Sequence, residues 1–358
     1  MILLKKNFIY YFLIIFSIIS ITTIYSAQGI LPSSYDNLYI KQIIWYLIGF
    51  GIMFLIKKIG KFYIYKICFV LYIVFNVLLL GLLFFGTEIN GAKCWYNIFG
   101  FGFQPSEFMK IILIIILGIM IDNFRKKKKF SVKQEFKFLC KVFVIVLIPS
   151  VLTFLEPDTG VVLIYFIIMF SMLFISGIRY RWFIISFSVI GLFLGFILIS
   201  YYFFNDFFVS FLGSSFSLRL ERILSWHNNT GYQLTNGLSS IGAGGLFGYG
   251  FNNTPLYFPE AQTDFIFAVF ASNYGFIGSL FLIILLLIFD LKLVALAKRK
   301  RGINRYIVVG MIAMLFYQQI QNIGMTLGLL PITGITLPFL SYGGSSLISY
   351  FIIMGFCI

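Results

Sequence analysis

Phe258-Pro259-Glu260-Ala261-Gln262-Thr263-Asp264-Phe265-Ile266-Phe267 carries two acids straight into an apolar run that reaches Leu291, interrupted near its end by Asp290 and closed by Lys292. About 20 apolar residues of helix span the roughly 30 Å hydrocarbon core of a bilayer. Hydropathy therefore predicts a membrane helix over 264–291, with Asp264 at its mouth.

Nine further runs of the same kind lie near 8–26, 40–57, 63–85, 105–122, 142–156, 160–178, 182–204, 304–329 and 341–358. The first, preceded by Lys5 and Lys6, reads as helix one and not as a cleaved leader, because no convincing cleavage site closes it. Composition agrees: 60% of residues are hydrophobic and 11% charged, with a mean hydropathy of +0.99, against about 25% charged in an average soluble domain. The expected fold is all-α and polytopic, with about ten transmembrane helices in a single domain over 1–358.

The net charge of +15 could suggest a nucleic-acid partner, so the placement of the charges decides. With the N-terminus inside, the inner segments hold 22 of the 27 basic residues and three of the twelve acids, a net +19, leaving −4 outside. That asymmetry is the positive-inside signature. It puts both termini in the cytoplasm and excludes nucleic acid as the reason for the charge. Cys68, Cys94, Cys140 and Cys357 show no metal or disulfide spacing.

Two outer segments are long enough to carry function, 86–104 and 205–263 between helices seven and eight; the inner stretch 124–141 reads as a solvated basic anchor. No GxxxxGK[ST] loop is present, and the one histidine, His227, reads as a surface residue. Ionisable groups near membrane depth say more, since each costs about 2.5–3.5 kcal/mol at a helix centre. Glu107 and Lys110 share a helical face, which suits a structural ion pair and a substrate contact equally. Asp158, in Glu156-Pro157-Asp158-Thr159-Gly160, fits either a turn and cap or a site carboxylate. Arg219 and Arg222, three apart and against the inside rule, suit a pyrophosphate or the lipid headgroups. Asp264 could cap its helix or, partly desolvated, act as a base. The glycines of Ile241-Gly242-Ala243-Gly244-Gly245-Leu246-Phe247-Gly248 suit close packing or a re-entrant turn better than a phosphate cradle.

Six ordered motifs are similar to those of the SEDS family (shape, elongation, division and sporulation): Asn90-Gly91-Ala92-Lys93-Cys94-Trp95, Phe103-Gln104-Pro105-Ser106-Glu107, the 156–160 segment, Gly231-Tyr232-Gln233, the 259–267 segment, and Leu337-Pro338-Phe339-Leu340-Ser341-Tyr342-Gly343-Gly344-Ser345-Ser346. The resemblance implies a ten-helix glycosyltransferase that polymerises lipid II on the outer face of the bacterial cytoplasmic membrane. Its implied partners are a class B penicillin-binding protein and the elongation or division complexes. The family's essential aspartate matches Asp264, and its substrate-binding positions match Glu107, Lys110, Asp158, Arg219 and Arg222, with Lys93, Gln104, Glu260, Ser341 and Ser345 from the same motifs. A divalent cation, magnesium or manganese, is a further candidate component. The sequence leans towards the RodA-like type, although Gln262 also occurs in division and sporulation members. Ser272-Asn273 stand where acidic residues are common, and the 251–258 stretch is shorter than usual.

Two alternatives belong to other classes. A lipid II flippase would need an inner as well as an outer polar site, and the inner acids are only Asp122, Glu135 and Asp290. A non-catalytic scaffold for the transpeptidase would have no need of Asp264.

Overall fold

The computed structural model describes residues 8–89, 92–98, 100–126, 131–203 and 231–358. Arg219, Arg222 and His227 lie outside the described residues. Among those described, eleven α-helices run in the order α1 (Phe8–Gln28), α2 (Leu38–Ile59), α3 (Lys61–Phe85), α4 (Pro105–Arg125), α5 (Val132–Leu155), α6 (Thr159–Ile175), α7 (Tyr180–Phe203), α8 (Tyr232–Ala243), α9 (Ile266–Arg299), α10 (Ile303–Thr326) and α11 (Gly344–Gly355). All but α8 coincide with the ten expected spans. Seven are long and apolar enough to cross a bilayer by length and composition, while α6 and α11 are shorter apolar helices.

Helix α4 is the exception that organises the bundle. It is 21 residues long but carries Glu107, Lys110 and Asp122. Charges at that depth are tolerated only where protein surrounds them, and every residue from Met109 to Gly118 is buried. Helices α3, α5, α6, α10 and α11 pack around it.

Three features depart from the hydropathy reading. Helix α5 starts at Val132, ten residues earlier than expected, because Ser131 and Gln134 form a reciprocal capping box that extends the helix through the basic anchor. Helix α9 likewise continues past Lys292 to Arg299. The outer segment after α3 forms an antiparallel sheet, β1 (Thr87–Ile89), β2 (Ala92–Ile98) and β3 (Phe101–Phe103), with Tyr96 opposite Phe103. Strands of three residues are too short to show a period in sequence. Pro105 then fits the first turn of α4, where its missing N–H costs nothing.

Helix α9 breaks at Gly275, whose φ of 64° and ψ of −163° leave the helix. Orphaned polar backbone at membrane depth has to be satisfied by protein, and the glycine-rich loop after α8 does so. Tyr249 N and Gly250 N donate to Ser272 O (2.8 Å) and Asn273 O (3.1 Å), while Phe276 N and Ile277 N donate to Gly245 O (2.9 Å) and Leu246 O (3.1 Å). A Cβ on Gly248 or Gly275 would collide with the facing backbone, so Gly248 serves close packing, one of the two roles expected of its segment, and Gly275 faces it. Ser272 and Asn273 belong to the same junction: Asn273 Nδ2 donates to Ser26 Oγ on α1 (2.5 Å), and Thr254 Oγ1 donates to Asn273 Oδ1 (3.1 Å). Here a neutral pair ties the break to α1.

Gly275→Ala should cost about 1–3 kcal/mol, because that backbone region is essentially glycine-only. Gly191→Ala, which meets open space, should stay within about 0.5 kcal/mol of wild type. Thermal unfolding in detergent compares the two; equal midpoints would contradict the role given to the break.

Candidate functional site

At the end of the bundle away from the basic connectors, the starts of α4, α6 and α11 converge with the 259–265 and 333–343 segments around a cavity of about 440 Å³. Of the sequence-predicted residues, Gln104, Glu107, Asp158, Glu260, Asp264 and Ser345 line it.

Asp264 does not cap α9. The N-cap position is Phe265, with no side-chain capping bond, so the capping alternative falls away. Its backbone is fixed instead. Asn322 Nδ2, fully buried on α10, donates to Asp264 O (2.8 Å) and to Ile335 O (2.8 Å). Ser341 Oγ donates to Thr263 O (2.6 Å) and accepts from Leu337 N (2.8 Å), and Tyr342 N donates to Gln262 O (2.8 Å). Thus two irregular segments satisfy each other's backbone. The carboxylate itself accepts no hydrogen bond among the described residues. Gly334, at φ 69°, keeps its bare Cα close to Asp264 Oδ2; an added Cβ would sit 3.6 Å away.

Asp158 does both things expected of it. Its Oδ1 accepts from Val161 N (3.1 Å) as the cap of α6, and its Oδ2 accepts from Gln104 Nε2 (3.0 Å) inside the cavity. Glu107 Oε1 pairs with Lys110 Nζ at 2.8 Å, and Glu107 Oε2 has no partner. Lys110 is fully buried, with its ammonium 5.6 Å from the centre of the Tyr350 ring; it stands behind Glu107 and does not line the cavity. Glu260 adopts φ 54° and accepts from Thr263 Oγ1 (2.7 Å) and Gln262 Nε2 (3.3 Å). Ser345 Oγ donates to Gly102 O and accepts from Gln104 N, both 3.1 Å, joining β3 to the start of α11.

Burial and nearby negative charge both disfavour an ionised carboxyl. Burial first, then Glu260 and Asp158, pushes Asp264 up to about 7. Asp158 rises to about 6 by burial, opposed by the Val161 N–H, with Glu107 raising it and Lys110 and Gln104 lowering it. Glu156, just behind at the end of α5 with both oxygens unpartnered, is pushed to about 8 by burial and Asp158.

Besides Lys110, two sequence candidates lie outside the cavity: Lys93 is exposed on β2, and the Ser341 hydroxyl is occupied within the backbone clamp. Among the lining residues that carried no expectation are Lys41 and Gln318. Lys41 is an outer cation against the inside rule, the signal that singled out Arg219 and Arg222. Gln318 belongs to a polar run, Gln318-Gln319 and Gln321-Asn322, in an otherwise apolar helix. Among the described residues no group of three His, Cys, Asp or Glu could hold a metal ion; a magnesium ion held by one or two carboxylates would take its other ligands from water or a substrate phosphate.

Fold and site together define a polytopic membrane protein with an acidic cavity at one end of its bundle. The "Cell cycle protein" model of FtsW, RodA and SpoVE matches residues 6–358, and the chain belongs to that family. The "Probable peptidoglycan glycosyltransferase FtsW" of Wigglesworthia glossinidia brevipalpis is 32% identical over 96% of this chain and 90% of that protein. The stage V sporulation protein E of Bacillus subtilis is 33% identical over 78% of this chain and 73% of that one. In structure, the chain is similar to a component of a peptidoglycan synthase complex, at TM-score 0.75 and 26% identity, with 96% of this chain and 95% of that one covered. It also shares the fold of Thermus thermophilus RodA, at TM-score 0.70 and 24% identity, covering 99% and 95%. The relatives divide between FtsW, SpoVE and RodA, so the lean towards the RodA type is not specifically favoured.

Removing one partner of a buried ion pair strands the other charge, at about 3–5 kcal/mol. Lys110→Met should therefore destabilise more than the double change Lys110→Met with Glu107→Gln, compared by thermal unfolding in detergent. A double variant at least as unstable as the single one would contradict the pairing.

Proposed function

We propose that the cavity is the active site of a peptidoglycan glycosyltransferase that polymerises lipid II on the extracytoplasmic face of a bacterial cytoplasmic membrane, with Asp264 as general base. One observation carries this reading: a carboxylate with no hydrogen bond among the described residues, its backbone clamped by Asn322 and the neighbouring Ser341 contacts, in a cavity that raises it to about 7. A base is most effective when its pKa lies near the working pH.

Asp264 takes the proton from the sugar 4-hydroxyl of one lipid II as that oxygen attacks the anomeric carbon of another. The bond to the undecaprenyl pyrophosphate breaks as the glycosidic bond forms, and negative charge develops on the leaving phosphate. Lys41 at the rim and the first turn of α11, where Gly344, Ser345 and Ser346 line the cavity, face that charge with a cation and a helix N-terminus. Arg219 and Arg222 are further candidates for the same duty. Gln104 and Glu107 hold Asp158 and the cavity wall, and Glu260 sets both the loop and the basicity of Asp264.

The flippase reading gains little from the inner side. Asp122 is paired with Lys126 at 2.9 Å, and Glu135 accepts from Trp182 Nε1 at 3.1 Å and pairs with Arg179 at 3.6 Å. Asp290 accepts from Gln319 Nε2 at 3.4 Å. The similar chain seen in a synthase complex that coordinates polymerisation and crosslinking supports a transpeptidase of the class B penicillin-binding type as partner.

Purified chain given lipid II, alone and with its transpeptidase, should make glycan strands that Asp264→Ala reduces by about 10²–10⁴-fold. The wild-type rate should climb with pH through about 7, because only the ionised carboxylate accepts the proton. Glu260→Gln, which removes a negative neighbour, should move that limb to lower pH. Strand synthesis that survives in Asp264→Ala would sink the assignment.

A further inference from the structure

The basic end of the bundle holds a second, separate cavity of about 660 Å³ between α6, α7, α9 and α10. Its walls are apolar: Phe170 and Phe174 from α6, Phe187 from α7, and Val309 and Ile312 from α10 are among them. The polar residues in the lining are Ser171, Lys298 and Arg305. Both cations are exposed, and neither has an acidic partner among the described residues. From Arg305 to Ala313 the groove follows α10 for eight residues, about 12 Å at helical rise, from the charged rim towards the membrane interior. Helix α7 leaves it open, burying only Ile197 and Ser200 among its described side chains.

We propose that this groove binds an anionic glycerophospholipid of the cytoplasmic leaflet, its phosphate on Lys298 and Arg305 and an acyl chain between α6 and α7. Cations with no acidic partner among the described residues, set over an apolar slot, complement a phosphate attached to a hydrocarbon tail. The lining also separates this occupant from a lipid-linked sugar precursor. Beyond the two cations it offers one hydroxyl, nothing to satisfy a disaccharide and peptide, whereas the cavity around Asp264 is rich in such groups. This site stands independently of the reaction assigned to the other end of the molecule.

The test is native mass spectrometry of the full chain in detergent, with dioleoylphosphatidylglycerol, dioleoylphosphatidylcholine or lipid II added in turn. Wild type should retain phosphatidylglycerol about tenfold more than phosphatidylcholine, as two cations near an anionic headgroup imply. The preference should vanish in Lys298→Gln with Arg305→Gln. Ala313→Trp, which fills the apolar slot and spares both cations, should also lose the bound lipid. Lys300→Gln with Arg301→Gln, next to the groove, should keep it. Equal loss in that control, or retention in both groove variants, would overturn the site, and lipid II displacing phosphatidylglycerol from it would overturn the occupant.

Discussion

The Asn322 side chain, buried in the middle of a membrane bundle, donates both of its amide hydrogens to backbone carbonyls, those of Asp264 and Ile335, each at 2.8 Å. The geometry of the cavity around Asp264 depends on that hold. Non-helical backbone at membrane depth must find its partners within the protein, and the two irregular segments at this end supply them to each other. Ser341 and Tyr342 complete the exchange. A reactive carboxylate can then sit without ligands of its own, because its position is set through the main chain. The Gly275 break in α9 applies the same rule one level deeper, with the glycine-rich loop as partner.

Electrostatics explain why this cavity and not another suits proton transfer. Asp264, Asp158 and Glu260 line one small volume, and burial makes the negative charges of Asp264 and Asp158 costly, so Asp264 is held near 7 and Asp158 near 6. Lys110 is spent on Glu107, inside the wall. In the proposed reaction the cationic help for a departing pyrophosphate would come from Lys41 in the cavity lining, with Arg219 and Arg222 as further candidates. At the opposite end the balance is reversed, with cations over an apolar slot and the acids engaged in pairs or hydrogen bonds.

Most of the architecture was legible in the sequence, because hydrocarbon thickness and loop charge are strong constraints on a membrane chain. Each of the ten apolar runs holds a helix, and seven of these are long and apolar enough to cross a bilayer. The early start of α5 and the late end of α9 escaped because their extra turns are rich in lysine and arginine, which hydropathy counts as loop. The 87–103 sheet escaped because two of its three strands are only three residues long. At the site, Asp264, Asp158, Glu107, Gln104, Glu260 and Ser345 were identifiable from their motifs. Which of those groups face the cavity was not, since that depends on contacts across hundreds of residues: Ser341 turned out to be a backbone clamp, Lys110 a buried counter-ion and Lys93 an exposed strand residue. Lys41 and Gln318 could have been found by asking which polar groups break the local rule for their segment.

Burial and its acidic neighbours hold the pKa of Asp264 near neutral, which is what the proposed role as a base requires. Infrared difference spectroscopy on the chain in lipid, with ¹³C-labelled aspartate and Asp264→Asn as the subtraction, would follow this carboxyl as pH is raised. A protonated band that disappears with a midpoint near 7 is the expected result. A carboxylate already ionised at about pH 5, nearer the ordinary aspartate value, would contradict it.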